Sequence, residues 1–201
     1  MNMISTHMKL EQEILRLEAM SKQGESYSDT TGRYGWRNPV RRDTGPLLAA
    51  QVAAHDAYRI LEVGTAHGLS ALHLSNGWAT LEGRELHTIE MDEEVGHQAQ
   101  RLFDGLGLPV KVHIGEAMGV IENQLEGRFD MVFLDAQKSH YGRQWNALVS
   151  LGLVGKGTLL LADNVIDRKV ECTSLFKALD EQGISYQIIP TECGLLSAVV
   201  G

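Results

Sequence analysis

Short apolar runs alternate along this chain with longer segments in which apolar residues recur every three or four positions. Compact runs rich in β-branched residues predict buried strands, and the wider spacing predicts helices that bury one face. The predicted strands cover 60–63, 86–90, 110–114, 129–134, 158–162, 184–189 and 195–200. Helices are predicted at 8–22, after Asp43, from Leu69, at 93–106, after 115–118, at 138–153 and near 172–183. This alternation predicts an α/β fold with a Rossmann-like, doubly wound, mostly parallel seven-stranded sheet and helices on both faces.

The segment 24–42 interrupts the pattern because it is polar and contains glycine. A loop of this length in a compact domain is often a functional cover. Its Trp36 either lines a substrate pocket or anchors the loop to the core. We expect one domain over residues 1–201, with an N-terminal helix and cover loop in 1–42 and a cofactor-binding and catalytic core in 43–201.

A strand, a glycine-bearing turn and a helix follow one another over residues 59–70, as in the first half of a nucleotide-binding unit. Gly64 permits a sharp turn, Gly68 permits close approach of a ligand, and the new helix presents unpaired N–H groups. The spacing is not that of a dinucleotide fingerprint, because Ala66 stands where the middle glycine would be. Glu62 precedes the turn and favours a cationic ligand over a pyrophosphate. The alternative is an ordinary strand-to-helix turn with a solvated Glu62.

Acidic residues at later strand ends and helix starts extend this picture. Glu90 lies 22 residues after Gly68, where an acidic side chain commonly accepts hydrogen bonds from ribose hydroxyls. Asp92 is predicted to cap the helix at 93–106, and Asp43 to cap the helix that follows it. A nucleoside ligand is therefore predicted at this edge of the sheet.

Three further oxygen-bearing side chains follow two apolar strands: Asp135 after the fourth strand, and Asp163 with Asn164 after the fifth. The carboxyl ends of parallel strands meet at one edge of a sheet, so these side chains are expected to converge. Carboxylate and amide oxygens are ligands that Mg²⁺ and Ca²⁺ prefer. The alternative is that the three residues cap helices or form turns.

Composition narrows the possible partners. The formal net charge of −8 disfavours binding to nucleic-acid backbones or anionic membranes. The two cysteines, Cys172 and Cys193, have no zinc-site or disulfide-framework spacing. No apolar run is long enough to span a bilayer, and the amino terminus lacks a secretory pattern. We therefore expect a cytoplasmic protein.

Several motifs together resemble those of class I S-adenosylmethionine-dependent O-methyltransferases. More narrowly, they are similar to the metal-dependent group that contains the catechol and caffeoyl-coenzyme A enzymes. The resemblance extends in order from about residue 43 to the end of the sequence. The motifs are Glu62–Ser70, Ile89–Asp92, Phe129–Lys138, Leu160–Val165 and Cys193–Leu195.

The resemblance implies two bound groups, S-adenosylmethionine as methyl donor and Mg²⁺ or another divalent cation. Cofactor contacts are implied for Thr44, Glu62, Gly64 and Ser70 at the methionine part, Glu90 at the ribose, Ala117 and Met118 beside the adenine, and the turn residues Ala66 and Gly68 together with Asp135. Metal ligation is implied for Asp135, Asp163 and Asn164. Lys138 would be the general base, with Asp135 as its catalytic neighbour; the alternative for Lys138 is a solvated helix lysine.

The implied activity is methylation of a hydroxyl on a small, phenolic molecule with adjacent oxygens. Leu196 stands where catechol enzymes carry a glutamate, so catechol itself is not the expected acceptor. Arg33, Arg37, Arg41 and Arg42 either meet an acidic substrate or form a solvated basic loop. Three alternatives remain: methylation of a hydroxylated tRNA nucleoside, a nicotinamide-dependent dehydrogenase, and a cofactor-binding protein without catalysis. We expect no membrane or nucleic-acid partner and either a monomer or a homodimer.

Overall fold

Strands and helices alternate in the computed structural model, which describes residues 3–22 and 39–201. The helices are α1 (Met3–Lys22), α2 (Thr44–His55), α3 (Leu69–Asn76), α4 (Glu93–Leu106), α5 (Ala117–Asn123), α6 (Tyr141–Ser150) and α7 (Thr173–Glu181), with a short 3-10 helix at Lys138–His140. The strands are β1 (Arg59–Val63), β2 (Glu85–Glu90), β3 (Val110–Ile114), β4 (Met131–Leu134), β5 (Leu159–Ala162), β6 (Tyr186–Ile189) and β7 (Leu195–Val199). Trp36 and the arginines at 33 and 37 fall outside the described residues.

The described strands form one seven-stranded sheet in the order β3-β2-β1-β4-β5-β7-β6. The first five strands in this order are parallel, whereas β7 runs antiparallel to both β5 and β6. The predicted Rossmann-like, mostly parallel fold is therefore confirmed. The chain moves outward in one direction from β1 to β3 and in the other direction from β4, so the order reverses between β1 and β4. Ligands of open α/β sheets bind at such a reversal point.

Two apolar cores cover the two faces of the sheet. One core joins α1 to α4 with side chains such as Ile60 and Leu86, and the other joins α5 to α7 with side chains such as Leu61 and Val132. Neighbouring residues of a strand point to opposite faces, so the continuously apolar strands supply both cores. Within the described ranges, no helix combines the length and the apolar character needed to cross a membrane.

Three local predictions differ from the structure. Helix α1 begins at Met3 instead of residue 8, and its Thr6 is buried, so the buried face of the helix starts before the predicted boundary. The predicted helix at 138–153 is divided into the 3-10 helix and α6. Asp43 does not cap α2 with its side chain, because its Oδ2 accepts a hydrogen bond from the Glu192 N–H at 2.7 Å instead.

Candidate active site

A cavity of about 410 Å³ opens at the carboxyl ends of β1, β2, β3 and β4. Its wall comes from four consecutive connections of the sheet, which is why residues far apart in the sequence meet there. The predicted site residues among its lining are Gly64, Ala66, Ser70, Glu90, Ala117, Asp135 and Lys138. The cavity therefore lies at the reversal point of the sheet and gathers most of the side chains that the sequence selected.

The turn after β1 forms the floor of this cavity. Gly64 has a φ of 109°, and a Cβ atom built there would lie 2.7 Å from the backbone oxygen of Asp135. Only glycine adopts this conformation without strain. The N–H groups of Gly64 and Thr65 both donate to the carbonyl of Ile89, at 3.1 Å each. The turn is thus fixed against β2 on one side and packed on the β4 connection on the other.

Glu90 joins this turn to the start of α4. Its Oε2 accepts a hydrogen bond from the Ala66 N–H at 2.9 Å, and its Oε1 accepts one from the Asp92 N–H at 3.0 Å. Asp92 itself caps α4 by accepting from the Val95 N–H at 3.1 Å. The predicted cap at Asp92 is therefore confirmed. The Glu90 carboxylate is held in place on the cavity wall, and its binding to a ribose stays a prediction.

Glu62 lies behind the turn and is completely buried. Its Oε2 accepts a hydrogen bond from the Thr88 hydroxyl at 2.5 Å, whereas its Oε1 has no hydrogen-bond partner among the described residues. Burial raises the pKa of Glu62 to about 8, against an opposing effect of the nearby Ser70 and Thr88 hydroxyls. A buried carboxyl with an unused oxygen is suited to a cationic ligand, whose charge would favour its ionised form.

Asp135 and Lys138 form an ion pair on the wall of the cavity. Lys138 Nζ donates to Asp135 Oδ1 at 3.0 Å, and the side chains are only 18% and 10% exposed, respectively. Burial raises the pKa of Asp135, and the Lys138 ammonium opposes that rise. The pair comes from the connection that follows β4, so its position is set by the sheet.

A second cavity of about 340 Å³ adjoins the first and contains Asp163 and Asn164. Both cavities have Lys138, Gln137 and Pro39 in their lining. The remaining lining of the second cavity is polar and charged: Arg41, Asp167, Arg168 and Glu171. Lys138 therefore stands at the junction between a nucleoside-sized cavity and a polar one.

Hydrogen bonds of the sheet set Asp163 beside Asp135. The Asp163 N–H donates to the carbonyl of Leu134 at 3.1 Å, one residue before Asp135. Asp163 is 2% exposed, and its Oδ1 has no hydrogen-bond partner in the described part of the chain. Burial, followed by the charge of Asp135, raises the pKa of Asp163 to about 7. Asn164 adopts a φ of 65°, and its Nδ2 donates to Asp167 Oδ2 at 3.4 Å.

These features fit a divalent cation. The charge of Asp135 disfavours ionisation of Asp163, and one oxygen of Asp163 has no hydrogen-bond partner among the described residues. A positive charge between the two carboxylates would relieve both effects. Within the described residues, no three His, Cys, Asp or Glu side chains form a metal-binding group. The predicted set comprises two carboxylates and an amide, so it stays a prediction.

Four of the predicted cofactor residues are buried and do not line the larger cavity: Thr44, Glu62, Gly68 and Met118. Gly68, with a φ of 85°, precedes α3 and packs on Phe103. Thr44 resembles Glu62 in having a buried side-chain oxygen, Oγ1, without a hydrogen-bond partner in the described residues. Leu196 lines neither cavity, because its register opposite Ala162 in the sheet turns it into the core.

The cavity wall also contains residues that the sequence interpretation missed: His67, Met91, Gln137, His140 and Gln144. Most of them lie in loops, where no periodicity marks a functional position. Gln144 is different, because it shares the buried face of α6 with Tyr141, Trp145 and Leu148 at helical spacing. A polar residue within that apolar face was a usable signal.

Comparison with known proteins adds independent information. The sequence model of the O-methyltransferase family matches residues 24–172. The catechol O-methyltransferase of Niastella koreensis is 36% identical over 139 residues, which cover 65% of this chain and 60% of that protein. The catechol O-methyltransferase of Sus scrofa is 35% identical over 134 residues, covering 63% and 70%. That of Mus musculus is 33% identical over 138 residues, covering 65% of this chain and only 51% of that protein.

Solved structures share the fold. An O-methyltransferase from Bacillus cereus in complex with SAH superposes with a TM-score of 0.74 and 23% identity, over 96% of this chain and 91% of that one. The O-methyltransferase TomG from Streptomyces achromogenes, in complex with SAM, also superposes with a TM-score of 0.74, at 22% identity, over 94% and 90%.

Proposed function

Because the chain belongs to the O-methyltransferase family, we propose that it transfers a methyl group from S-adenosylmethionine to a hydroxyl oxygen of a small molecule. The observation that carries this proposal is the position of Lys138 on the wall shared by the two cavities. A methyl donor in the larger cavity and an acceptor in the polar cavity would meet beside this side chain. Such an arrangement brings two reactants together in one orientation.

The larger cavity suits the methyl donor. Glu90 is held by two backbone N–H groups at the end of β2, the position from which an acidic side chain binds ribose. Glu62, with its unused Oε1 behind the turn, is the buried acid nearest in sequence to Gly64 and Ser70. We assign the cationic methionine end of the donor to this region, together with the buried Thr44.

A divalent cation belongs to the proposal because the residues present fit it. Asp135, Asp163 and Asn164 would hold it, with the unpartnered Asp163 Oδ1 as one ligand atom. When bound, such a cation lowers the pKa of a coordinated hydroxyl and stabilises the negative charge on the attacking oxygen. The bond between Asn164 Nδ2 and Asp167 Oδ2 occupies the amide nitrogen, which leaves the amide oxygen as the ligand.

Lys138 serves as the general base in this proposal. Its Nζ lies 3.0 Å from Asp135 Oδ1, which orients the amine at the junction of the cavities. A base at that point removes the proton from the acceptor hydroxyl as the oxygen attacks the methyl group. The base in this step is the neutral amine form of Lys138. As the bond between sulfur and the methyl carbon breaks, the methyl group moves to the oxygen and the donor leaves as its neutral thioether. The hydroxyl proton passes to the amine and restores the ammonium form that pairs with Asp135.

The acceptor that fits best is a small phenolic compound with adjacent oxygens. Two adjacent oxygens match a cation held by Asp163 and Asn164 at the mouth of the second cavity. The polar and charged lining of that cavity favours an acceptor with further polar groups over unsubstituted catechol. Leu196 contributes no side-chain hydrogen bond to the acceptor, since its side chain is aliphatic and fully buried in the core.

Calorimetry and methyl-transfer assays test this proposal. The protein should bind S-adenosylmethionine and should methylate members of a panel of vicinal dihydroxy aromatic compounds, with EDTA abolishing turnover and Mg²⁺ restoring it. Asp163→Ala should abolish turnover both with and without added Mg²⁺. Asp180→Ala, on an exposed position of α7, should keep the turnover and the Mg²⁺ dependence of the wild type. Absence of cofactor binding overturns the activity, and EDTA-resistant turnover overturns the role of the cation.

A further inference from the structure

The side chain of Gln144 is buried on the wall of the larger cavity. It is 1% exposed, and its Oε1 has no hydrogen-bond partner within the described residues. A buried amide oxygen without a hydrogen bond is costly and uncommon, so we expect a ligand to supply the missing donor. Because Gln144 lines the larger cavity, a ligand bound in that cavity would supply this donor.

Other unpartnered atoms support this interpretation. Buried side-chain oxygens without partners in the described part of the chain are Thr44 Oγ1, Glu62 Oε1, Asp163 Oδ1, Gln144 Oε1 and Ser75 Oγ. The first three belong to residues that the sequence motifs assign to the cofactor or the cation, whereas Ser75 lines neither cavity. Gln144 has the same signature and lies on the same cavity, yet no motif assigns it a role.

The packing of α6 on α5 indicates the part of the ligand that Gln144 would face. The strand order places β3 on the side of β2 away from β1 and β4. A donor with its methyl group beside Lys138 and its ribose at Glu90 extends its base toward the start of α5. Helix α5 packs on α6, which carries Gln144, and both helices contribute to the cavity wall through Ala117 and Gln144.

One acidic side chain, Glu116, also belongs to this part of the cavity wall. Glu116 is exposed and caps α5 by accepting a hydrogen bond from the Gly119 N–H at 3.1 Å. Gln144, unlike Glu116, is a buried acceptor whose oxygen has no partner within the described residues. The base of S-adenosylmethionine carries its N–H donors on a single group, the exocyclic amine of the adenine.

We propose that Gln144 recognises the adenine of the methyl donor, its Oε1 accepting a hydrogen bond from the exocyclic amine. This inference rests on the proposed function, because it requires S-adenosylmethionine in the larger cavity. Gln144 is then a specificity-determining residue: it selects adenine over bases that lack the amine. A site with a buried polar partner discriminates most strongly against an analogue that leaves this partner without a hydrogen bond.

The test compares two ligands in three proteins by isothermal titration calorimetry. The ligands are S-adenosylhomocysteine and its analogue with unsubstituted purine as base, which lacks the amine. The proteins are the wild type, Gln144→Met, which keeps the length but not the amide, and Gln144→Glu, which keeps an acceptor. Arg143→Ala, an exposed neighbour on α6, serves as the matched control.

We expect the wild type and Arg143→Ala to bind S-adenosylhomocysteine about tenfold more tightly than the purine analogue, as for one net hydrogen bond. In Gln144→Met this ratio should fall below about twofold, whereas Gln144→Glu should retain a preference for the amine. A merely structural role would weaken both ligands equally and leave the ratio unchanged.

The outcomes separate the inference from the proposed function. If the wild type and Gln144→Met both bind S-adenosylhomocysteine and prefer it over the purine analogue by the same ratio of affinities, the inference is overturned but the proposed function is not. If Gln144→Met does not fold, equal binding of the two ligands by the wild type overturns it as well. Absence of S-adenosylhomocysteine binding to the wild type overturns the proposed function, and the inference with it.

Discussion

Lys138 Nζ and Asp135 Oδ1 lie 3.0 Å apart, so the proposed general base and one proposed ligand of the cation form an ion pair with each other in this structure. A carboxylate that binds a divalent cation gives up much of its attraction for an ammonium group. Occupation of Asp135 would therefore release the Lys138 amine toward the second cavity, whose wall it already lines. Metal binding and the availability of the base would be coupled through one hydrogen bond.

Replacing Lys138 by methionine should lower kcat at least about 100-fold, since positioned general bases contribute roughly 100- to 10,000-fold. The affinity for S-adenosylmethionine should change less than about twofold, because the amine would act on the acceptor and not on the donor. Initial rates and calorimetry on the same preparations separate the two effects. Lys177→Met, on the exposed side of α7, should behave as the wild type. Full activity in Lys138→Met would contradict its role as base.

Binding of S-adenosylmethionine should release protons near pH 7. The pKa of Glu62 is raised to about 8 by burial, so the carboxyl is largely protonated there without ligand. A cationic ligand favours the carboxylate, and affinity should therefore rise as the pH increases from about 6 to 8. Calorimetry in buffers with different ionisation enthalpies measures the protons released. Glu62→Gln should bind more weakly and lose the release attributed to Glu62; an undiminished release in that variant would assign the protons elsewhere.

Gly64→Ala should destabilise the fold and impair cofactor binding. At a φ of 109°, its new Cβ would lie 2.7 Å from the Asp135 carbonyl oxygen, so the turn or the β4 connection must move. We expect a loss of about 3 kcal/mol or more and a fall in Tm of roughly 10 °C. Gly83→Ala is a suitable control, since Gly83 also has a positive φ, of 72°, but its Cβ would meet no atom within 4 Å. Equal losses of Tm in the two variants would refute the role of close contact.

Acidification should destabilise the protein through two adjacent histidines in the sheet. His87 Nδ1 lies 2.9 Å from His113 Nε2, and burial, followed by the charge of His87, lowers the pKa of His113 to about 4. The unfolded chain takes up this proton below about pH 6.5 and the folded chain only near pH 4, so stability falls as the pH decreases between these values.

Thermal melts between pH 7 and pH 4.5 measure this effect. The wild type should lose roughly 5 °C of Tm attributable to the pair, and His113→Gln should show a shallower pH dependence. His97→Gln, at a position whose side chain is 57% exposed, should retain the wild-type slope. Parallel pH curves for the wild type and His113→Gln would show that His113 does not contribute.

Much of the fold was accessible from the sequence because strand residues such as Leu61 and Val132 are apolar on both faces, as parallel strands buried between helix layers must be. The acids at strand ends were equally informative. A carboxylate directly after a buried strand, such as Asp163, is costly to bury and therefore favours a role in binding. The cap expected at Asp43 failed for a different reason: its partner, the Glu192 N–H, is 149 residues away. A tertiary contact of that kind leaves no local pattern.

Site residues that come directly after strands could be predicted from the sequence, whereas a site residue within a helix could not. The helical spacing of α6 was enough to place Gln144 on its buried face, but it did not show that this face reaches the cavity, which depends on how α6 packs against α5. The sequence also did not show that the Leu196 side chain points into the core and away from both cavities. Its direction depends on the antiparallel register of β7 against β5, and a shift of one residue would turn it to the other face of the sheet.

Strand β7 is inserted between β5 and β6, although it follows both in the chain. During synthesis, β5 therefore leaves the ribosome with an open edge that stays unpaired until residues 195–199 emerge. An exposed strand edge of this kind is a template for wrong pairing with other chains. A chain that ended shortly before residue 195 would lack β7, and this edge of β5 would stay without its partner strand.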